Sequence, residues 1–367
     1  MLKHLDEYRS PELIEALRRE LAALGPEPSN LMEVCGTHTM AAARFGLREM
    51  LPEGVRLLSG PGCPVCVTPT AEVDRFLAAG ALPGVILATF GDMLRVPGSR
   101  SNLEGERARG VEVRVVYSPA DAVALARAEP DRQVVFFAVG FETTAPTVAM
   151  ALAEADETGV GNFSILCAHK IIPPALKALA VAGEVNVGGF VLPGHVSAII
   201  GSRPYEFLAR EHGVPCVITG FEPADLLRGA LMLLRQRREG RAEVEIEYSR
   251  VVRPEGNPRA QAAVERVFEA CDAEWRGLGT IAGSGLRLRE AFSRFDAPGR
   301  FGLPMPEPFD PPGCRCGEVL RGVTQPPECT LFAQACTPEH PVGPCMVSTE
   351  GTCAAYYKYR RTEEPEP

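Results

Sequence analysis

Between residue 30 and about residue 250 the chain alternates short apolar runs rich in Val and Ile with stretches whose apolar residues recur at helical spacing. The runs are VRLLSG, GVILATFG, VEVRVVYS, QVVFFAVG, FSILCAH, GGFVLPG and VPCVITG. Apolar strands joined by helices are the mark of parallel sheets covered on both faces, so an α/β fold is expected. Nearly every run ends in Gly, Ser, Thr or His ahead of a helix start, and ligands bind at the carboxyl ends of strands in such sheets. The segments ATFGDMLRVPG, FAVGFETTAPT and VITGFEPADLL echo one another weakly, which suggests two related halves.

Outside that stretch the pattern changes. Ser10 as cap, Pro11 at the first helical position and Leu13, Ile14, Leu17 and Leu21 at helical spacing predict a first helix that ends at Gly25-Pro26. Residues 258–271 read as another helix, 275–303 as Gly-containing mixed polar segments, and 304–345 as irregular backbone dense in Pro and Cys, before a disordered tail, RRTEEPEP. The expected organisation is an N-terminal helix (1–29) packed on the C-terminal domain, two doubly wound parallel-sheet domains (30–120 and 121–250), and a smaller irregular Cys-rich iron–sulfur domain (251–367).

Composition narrows the function classes. A net charge of −9 argues against nucleic acid, which needs a basic footprint. The N-terminus carries charge and no apolar signal core, and no segment is apolar for the length of a membrane span, so a cytoplasmic location is expected. Thiols stay reduced there, and twelve cysteines read as metal ligands or redox centres before they read as staples.

Six of them, Cys314, Cys316, Cys329, Cys336, Cys345 and Cys353, crowd the end of the chain without the paired C-x-x-C knuckles of structural zinc. An iron–sulfur cluster fits them better, and six candidates for four places leave the ligand set open. Upstream, Cys63 and Cys66 form a C-x-x-C dithiol in GPGCPVC, suited to cycling between dithiol and disulfide. Cys35 stands three residues before His38 in a polar run, as a nucleophile with its base or as two soft metal ligands. Glu142 and His195 follow predicted strands and serve equally well as caps or as catalytic groups. Cys167 and Cys216 in strand runs, and Cys271 at a helix end, read as core residues.

The segments MEVCGTHTM, GPGCPVCVTP, FAVGFETTAPT, LPGHVS and CRCGEVLRG…CTLFAQACTPEHPVGPCMVSTEGTCAAYY, in that order, closely resemble the HypD family of hydrogenase maturation factors. The resemblance runs from about residue 32 to Tyr357. It implies a redox-active scaffold, rather than a free-standing turnover enzyme, on which the Fe(CN)₂CO unit of [NiFe] hydrogenases is assembled. The implied partners are a small chaperone, HypC, whose N-terminal cysteine shares the iron, and a thiocyanate-bearing cyanide donor, HypE. By the resemblance Cys35 is the iron ligand with His38 beside it, Cys63 and Cys66 are the redox pair, and His195 and Glu350 lie in functional motifs. The same resemblance assigns a [4Fe–4S] cluster to Cys316, Cys329, Cys336 and Cys353, with Cys314 and Cys345 as less certain members. Two other readings compete. A stand-alone iron–sulfur thiol–disulfide oxidoreductase needs the cluster and Cys63/Cys66 but not Cys35 or His38, and a structural zinc protein needs only the C-terminal cysteines.

Overall fold

A computed structural model describes residues 6–360. The chain lays down β1 (Ser29–Glu33) and β2 (Val55–Ser59) in one sheet, then β3 (Val85–Thr89), β4 (Val113–Val115), β5 (Gln133–Ala138) and β6 (Phe163–Cys167) in a second. It then returns to the first sheet with β7 (Val187–Pro193), β8 (Cys216–Thr219) and β9 (Val244–Ile246). All pairings in both sheets are parallel, in the orders β2-β1-β7-β8-β9 and β4-β3-β5-β6. The seven apolar runs are seven of these strands, and the α/β class holds.

The expected division at residue 120 does not follow the sheets. The second sheet is inserted whole between β2 and β7, and β1 pairs with β7 158 residues later, as in Met32 against Phe190. Strand β1, Ser-Asn-Leu-Met-Glu, lacks the Val/Ile run that marks the others, and pairing partners so far apart leave no local trace. The N-terminal helix, Pro11–Ala23, forms as expected, with Ser10 Oγ accepting the Leu13 N–H at 3.4 Å. It does not lie on the C-terminal domain. Leu17 and Leu21 bury against Leu227, Leu231 and Leu234 of the Pro223–Arg238 helix on the outer face of the first sheet, and Arg235 reaches Glu20 at 2.8 Å. The amphipathic stripe required some apolar partner, and the Leu-rich face of that long helix supplies it.

The helix expected over 258–271 stops at Val267, and β10 (Phe268–Trp275) pairs antiparallel with β11 (Gly279–Leu288). The segment FEACDAEW alternates in burial with period two between buried Phe268 and Trp275, so it forms a half-covered strand. Cys271 therefore sits mid-strand and half-buried, not in a helical core. Residues 302–351 are irregular, as their Pro and Cys content requires, apart from short turns at Cys316–Leu320, Pro326–Glu328 and Pro344–Met346; the helix Thr352–Arg360 follows. The tail from residue 361 on lies outside the described residues.

Buried histidines give the fold a predicted acid limb. His169 is 1% exposed, its Nδ1 lies 3.2 Å from the Gly140 carbonyl, and burial lowers its pKa to about 4. The unfolded chain takes up a proton near pH 6.5 where the native chain does not, so stability is complete above that pH and falls as pH drops towards 4. At about 1.36 kcal/mol per unit, this residue removes about 2 kcal/mol by pH 5. Urea midpoints taken from pH 7 to pH 5 should show a shallower decline for His169→Gln than for the parent; an identical slope would exclude this origin.

Candidate functional site, a thiol cleft joined to a cysteine-rich pocket

In an open parallel sheet the crevice forms where the strand order reverses, because neighbouring connections there leave in opposite directions. In the first sheet that point lies between β1 and β7, and in the second between β3 and β5. The turn after β1 carries Cys35, the turn after β7 carries His195, and the turn after β5 carries Phe141, Glu142, Thr143 and Thr144. The two crevices share a cleft of about 390 Å³, whose walls include Cys35, Thr37, Gly62, Phe141, Thr143, Thr144, His195 and Glu350.

Cys35 is the residue at which β1 gives way to the Gly36–Arg44 helix. Its thiol is 7% exposed and is pushed up to about 12, first by burial and then by the Glu350 carboxylate, while the His38 and Thr37 backbone N–H groups act in the opposite sense. Two glycines make the geometry attainable. A Cβ at Gly62 would stand 2.1 Å from the Cys35 nitrogen, and one at Gly36 would stand 2.5 Å from the Glu350 Cβ, so the Cys63 loop and the Glu350 segment close directly on the Cys35 turn. The Gly36 N–H donates to the Gly62 carbonyl at 3.0 Å, and the Thr37 hydroxyl donates to Glu350 Oε1 at 2.6 Å. Beneath the turn, the fully buried Glu33 accepts the Cys35 N–H at 3.2 Å and the Thr39 hydroxyl, and burial pushes its carboxyl up to about 7.

The two histidines differ. His195 faces the cleft with its ring stacked on Phe221, centroids 3.8 Å apart. The cleft walls lower its pKa by desolvation, and Glu350 pulls the other way. His38 is completely buried, with Nε2 at 2.9 Å from the Gly220 carbonyl and 3.0 Å from the Thr219 hydroxyl, and burial lowers its pKa to about 3. It therefore stays neutral, and the carbonyl fixes the tautomer with the proton on Nε2. What reaches Cys35 is the His38 backbone N–H; the ring instead ties the Cys35 helix to the end of β8 and packs on Phe221, 4.9 Å between centroids. Glu142 works as a cap, its Oε1 accepting the Ile172 N–H at 3.0 Å at the start of the Ile172–Ala182 helix.

Behind the cleft the thiols form a continuous line. Cys63 caps the short Pro64–Val67 helix, its sulfur accepting the Cys66 N–H at 3.3 Å. The Cys66 thiol is wholly buried and interacts with those of Cys345 and Cys63. The Cys345 and Cys316 sulfurs lie 2.7 Å apart, and Cys316 interacts in turn with Cys314. Burial raises the Cys66 thiol well above its ordinary value.

All six C-terminal cysteines line one pocket with Leu331, Phe332 and Met346. The Cys316 and Cys345 sulfurs make the closest pair, while Cys353 interacts with Cys314, Cys316, Cys329, Cys336 and Cys345 around the pocket. Gly343 keeps the space beside them clear, since a Cβ there would lie 2.7 Å from the Cys314 sulfur. Among the described residues no three His, Cys, Asp or Glu side chains converge as ligands of one metal ion. The donors are all sulfur and surround a common pocket, a set that fits an iron–sulfur unit, which spreads its thiolates over several irons. Cys167, Cys216 and Cys271 lie away from this line: the Cys167 and Cys216 thiols donate to the carbonyls of Leu286 and Val214, and Cys271 belongs to the hairpin.

Glu33, Phe221 and Arg276 escaped the sequence reading. All three depend on contacts between distant segments, Glu33 because its strand forms only between β2 and β7.

Fold and site together define a two-sheet α/β protein in which a buried cysteine in an interdomain cleft is linked through a dithiol to a cysteine-rich pocket. Residues 10–360 match the family model HypD, described as the Hydrogenase formation hypA family. The chain is 47% identical to "Hydrogenase maturation factor HypD" of Rhizobium leguminosarum bv. viciae, over 99% of this chain and 97% of that protein. It is 45% identical to the protein of the same name from Escherichia coli (strain K12), over 99% of each. The chain belongs to the HypD family. Among the described residues no helix is long and apolar enough to cross a membrane.

Proposed function

We propose that this protein takes part in hydrogenase maturation as a redox-active scaffold, holding the iron of the Fe(CN)₂CO unit at Cys35 while cyanide is released from a thiocyanate. The small chaperone HypC would share that iron and HypE would bring the thiocyanate, as the family resemblance implies. The iron is cargo, and a thiolate suits a low-spin ion that also binds cyanide. The observation that carries this reading is the succession of interacting thiols from the loop that closes on Cys35, through Cys63, Cys66, Cys345 and Cys316, to Cys314 at the cysteine-rich pocket.

The step balances within the chain. The Cys63/Cys66 dithiol gives two electrons and two protons to an S-bound thiocyanate; the S–C bond breaks, the donor regains a thiol, hydrogen cyanide is released, and Cys63 and Cys66 are left as a disulfide. Exchange with the Cys316/Cys345 dithiol then restores the first pair and leaves a disulfide at the second. His195, exposed in the cleft opposite Cys35, can move a proton to the leaving sulfur or from the released cyanide. Glu350, held by the Thr37 hydroxyl, faces the same space.

The ligands we assign to a [4Fe–4S] cluster are Cys314, Cys329, Cys336 and Cys353, with Cys316 freed to pair with Cys345. When bound, such a cluster supplies electrons one at a time for re-reduction of the adjacent disulfide. A stand-alone disulfide reductase would use the same thiols but gives no role to a cysteine fixed at the crevice of the first sheet. The anaerobic protein should contain about four irons and absorb as an iron–sulfur protein. Cys314→Ser and Cys336→Ala should be colourless while Cys316→Ser stays brown. A colourless Cys316→Ser beside a brown Cys314→Ser would restore the set implied by the resemblance, and stoichiometric zinc without iron would sink the cluster altogether.

A further inference from the structure

The tip of the β10–β11 hairpin inserts Arg276 between the two thiol sites. Its backbone N–H donates to the Val67 carbonyl at 2.9 Å and its Nε to the Thr68 carbonyl at 3.0 Å, both at the carboxyl end of the helix that carries Cys66. Its Nη1 reaches Asp310 Oδ1 at 3.1 Å, on the segment leading into Cys314. The tip is pinned on the opposite side, where a Cβ at Gly277 would stand 2.3 Å from the Gly317 Cα and Arg321 donates to the Gly277 carbonyl. Arg276 is thus 8% exposed, and it lines, with Cys314, Cys316 and Gly343, a cavity of about 300 Å³.

One nitrogen of this buried guanidinium, Nη2, has no hydrogen-bond partner. A guanidinium has five donors, and burying its charge without full pairing is costly unless something nearby is negative. Its acidic partner, Asp310, is 67% exposed and so well screened by solvent. The contrast is Lys170, also buried, whose ammonium is answered by both oxygens of Glu72 at 3.0 and 3.3 Å.

We propose that Arg276 supplies the positive charge that makes the cysteine-rich centre easier to reduce. The inference rests on the cluster reading above. Four thiolates already make that centre negative, and reduction adds a further charge, which a guanidinium in a poorly screened interior stabilises. Because its other bonds hold the Cys66 helix, the same side chain fixes the spacing between dithiol and pocket.

The test is a potentiometric titration of the anaerobic full-length protein, followed by cluster absorbance, with iron content measured on every sample. Arg276→Gln should shift the reduction equilibrium at least tenfold against the reduced form, about 59 mV more negative for one electron. Arg276→Lys, which keeps the charge but not the fork, should recover at least half of that shift. Asp310→Asn should move the potential the other way, which general loosening of the hairpin would not do. An unmoved potential in an iron-replete Arg276→Gln protein overturns the inference and leaves the proposed function standing, as does an equal fall in the Gln and Lys variants. Loss of iron in both variants would make Arg276 a structural residue and likewise overturn it. Absence of iron from the parent protein removes the cluster reading itself, and the inference with it.

Discussion

Co-purified with the small chaperone proposed as its partner, the Cys35→Ala protein is expected to show no cyanide or carbonyl stretches in the infrared while keeping the absorbance of an intact cluster. Cys35 is the thiol at the crevice of the first sheet, and the Cys63 loop with Cys66 lies between it and the cysteine-rich pocket. Losing a metal's own ligand should exceed the ~10–100-fold cost typical of a supporting residue, so hydrogenase maturation should fall to background. Two features guard the interpretation. The substitution removes one sulfur at a helix start where no side-chain cap is made, so the helix should persist, and circular dichroism should be unchanged. The buried thiol is also raised to about 12, so it stays protonated until a metal displaces the proton, and iron retention should fall as pH is lowered. Infrared bands of parent intensity in Cys35→Ala would place the iron elsewhere and favour the simple disulfide reductase.

The second large effect is expected at Cys345. Its thiol interacts with Cys66 and lies 2.7 Å from the Cys316 sulfur, and in the proposed exchange it is the relay between the two dithiols. Serine keeps the volume and a hydroxyl but cannot form a mixed disulfide. Cys345→Ser should therefore retain iron and colour yet support no maturation, and its Cys63–Cys66 disulfide should survive when dithionite reduces the cluster. Differential alkylation followed by mass spectrometry reads this directly, since in the parent both thiols become accessible to label after reduction. Reduction of Cys63 and Cys66 at the parent rate would mean that electrons bypass Cys345. Loss of colour would instead make Cys345 a cluster ligand.

Much of the site could be read from the chain because its residues sit at the ends of strands whose apolar runs are plain. His195 follows the plain run of β7, and Cys63 lies in a Gly/Pro-constrained loop after β2, so the parallel-sheet rule places both on one edge; Cys35, after the polar strand β1, was legible only from its Cys-Gly-Thr-His run. The apolar runs fixed seven strands for the same local reason. Missing were the elements whose identity depends on a distant partner. Strand β1 is polar at Ser29, Asn30 and Glu33 and exists because β2 and β7 flank it. The strand at Phe268 reads as the end of a helix until Leu288 lies opposite.

The sequence by itself determined the kinds of chemistry available: thiols in three separate groups, a cleft histidine, an α/β scaffold and turns at strand ends. These follow from residue type and short-range periodicity, which are local properties of the chain. Only the tertiary structure decided which thiol meets which. Cys316 and Cys345 are 29 residues apart in the chain and 2.7 Å apart in space, in a pocket that also gathers Cys314, Cys329, Cys336 and Cys353. It likewise turned His38 from a neighbour of the Cys35 thiol into a buried tie to Gly220, and brought Arg276 against both thiol sites. Spacing along irregular backbone carries no period from which such contacts can be read; they are set by how the hairpin, the short turns and the two sheets pack together.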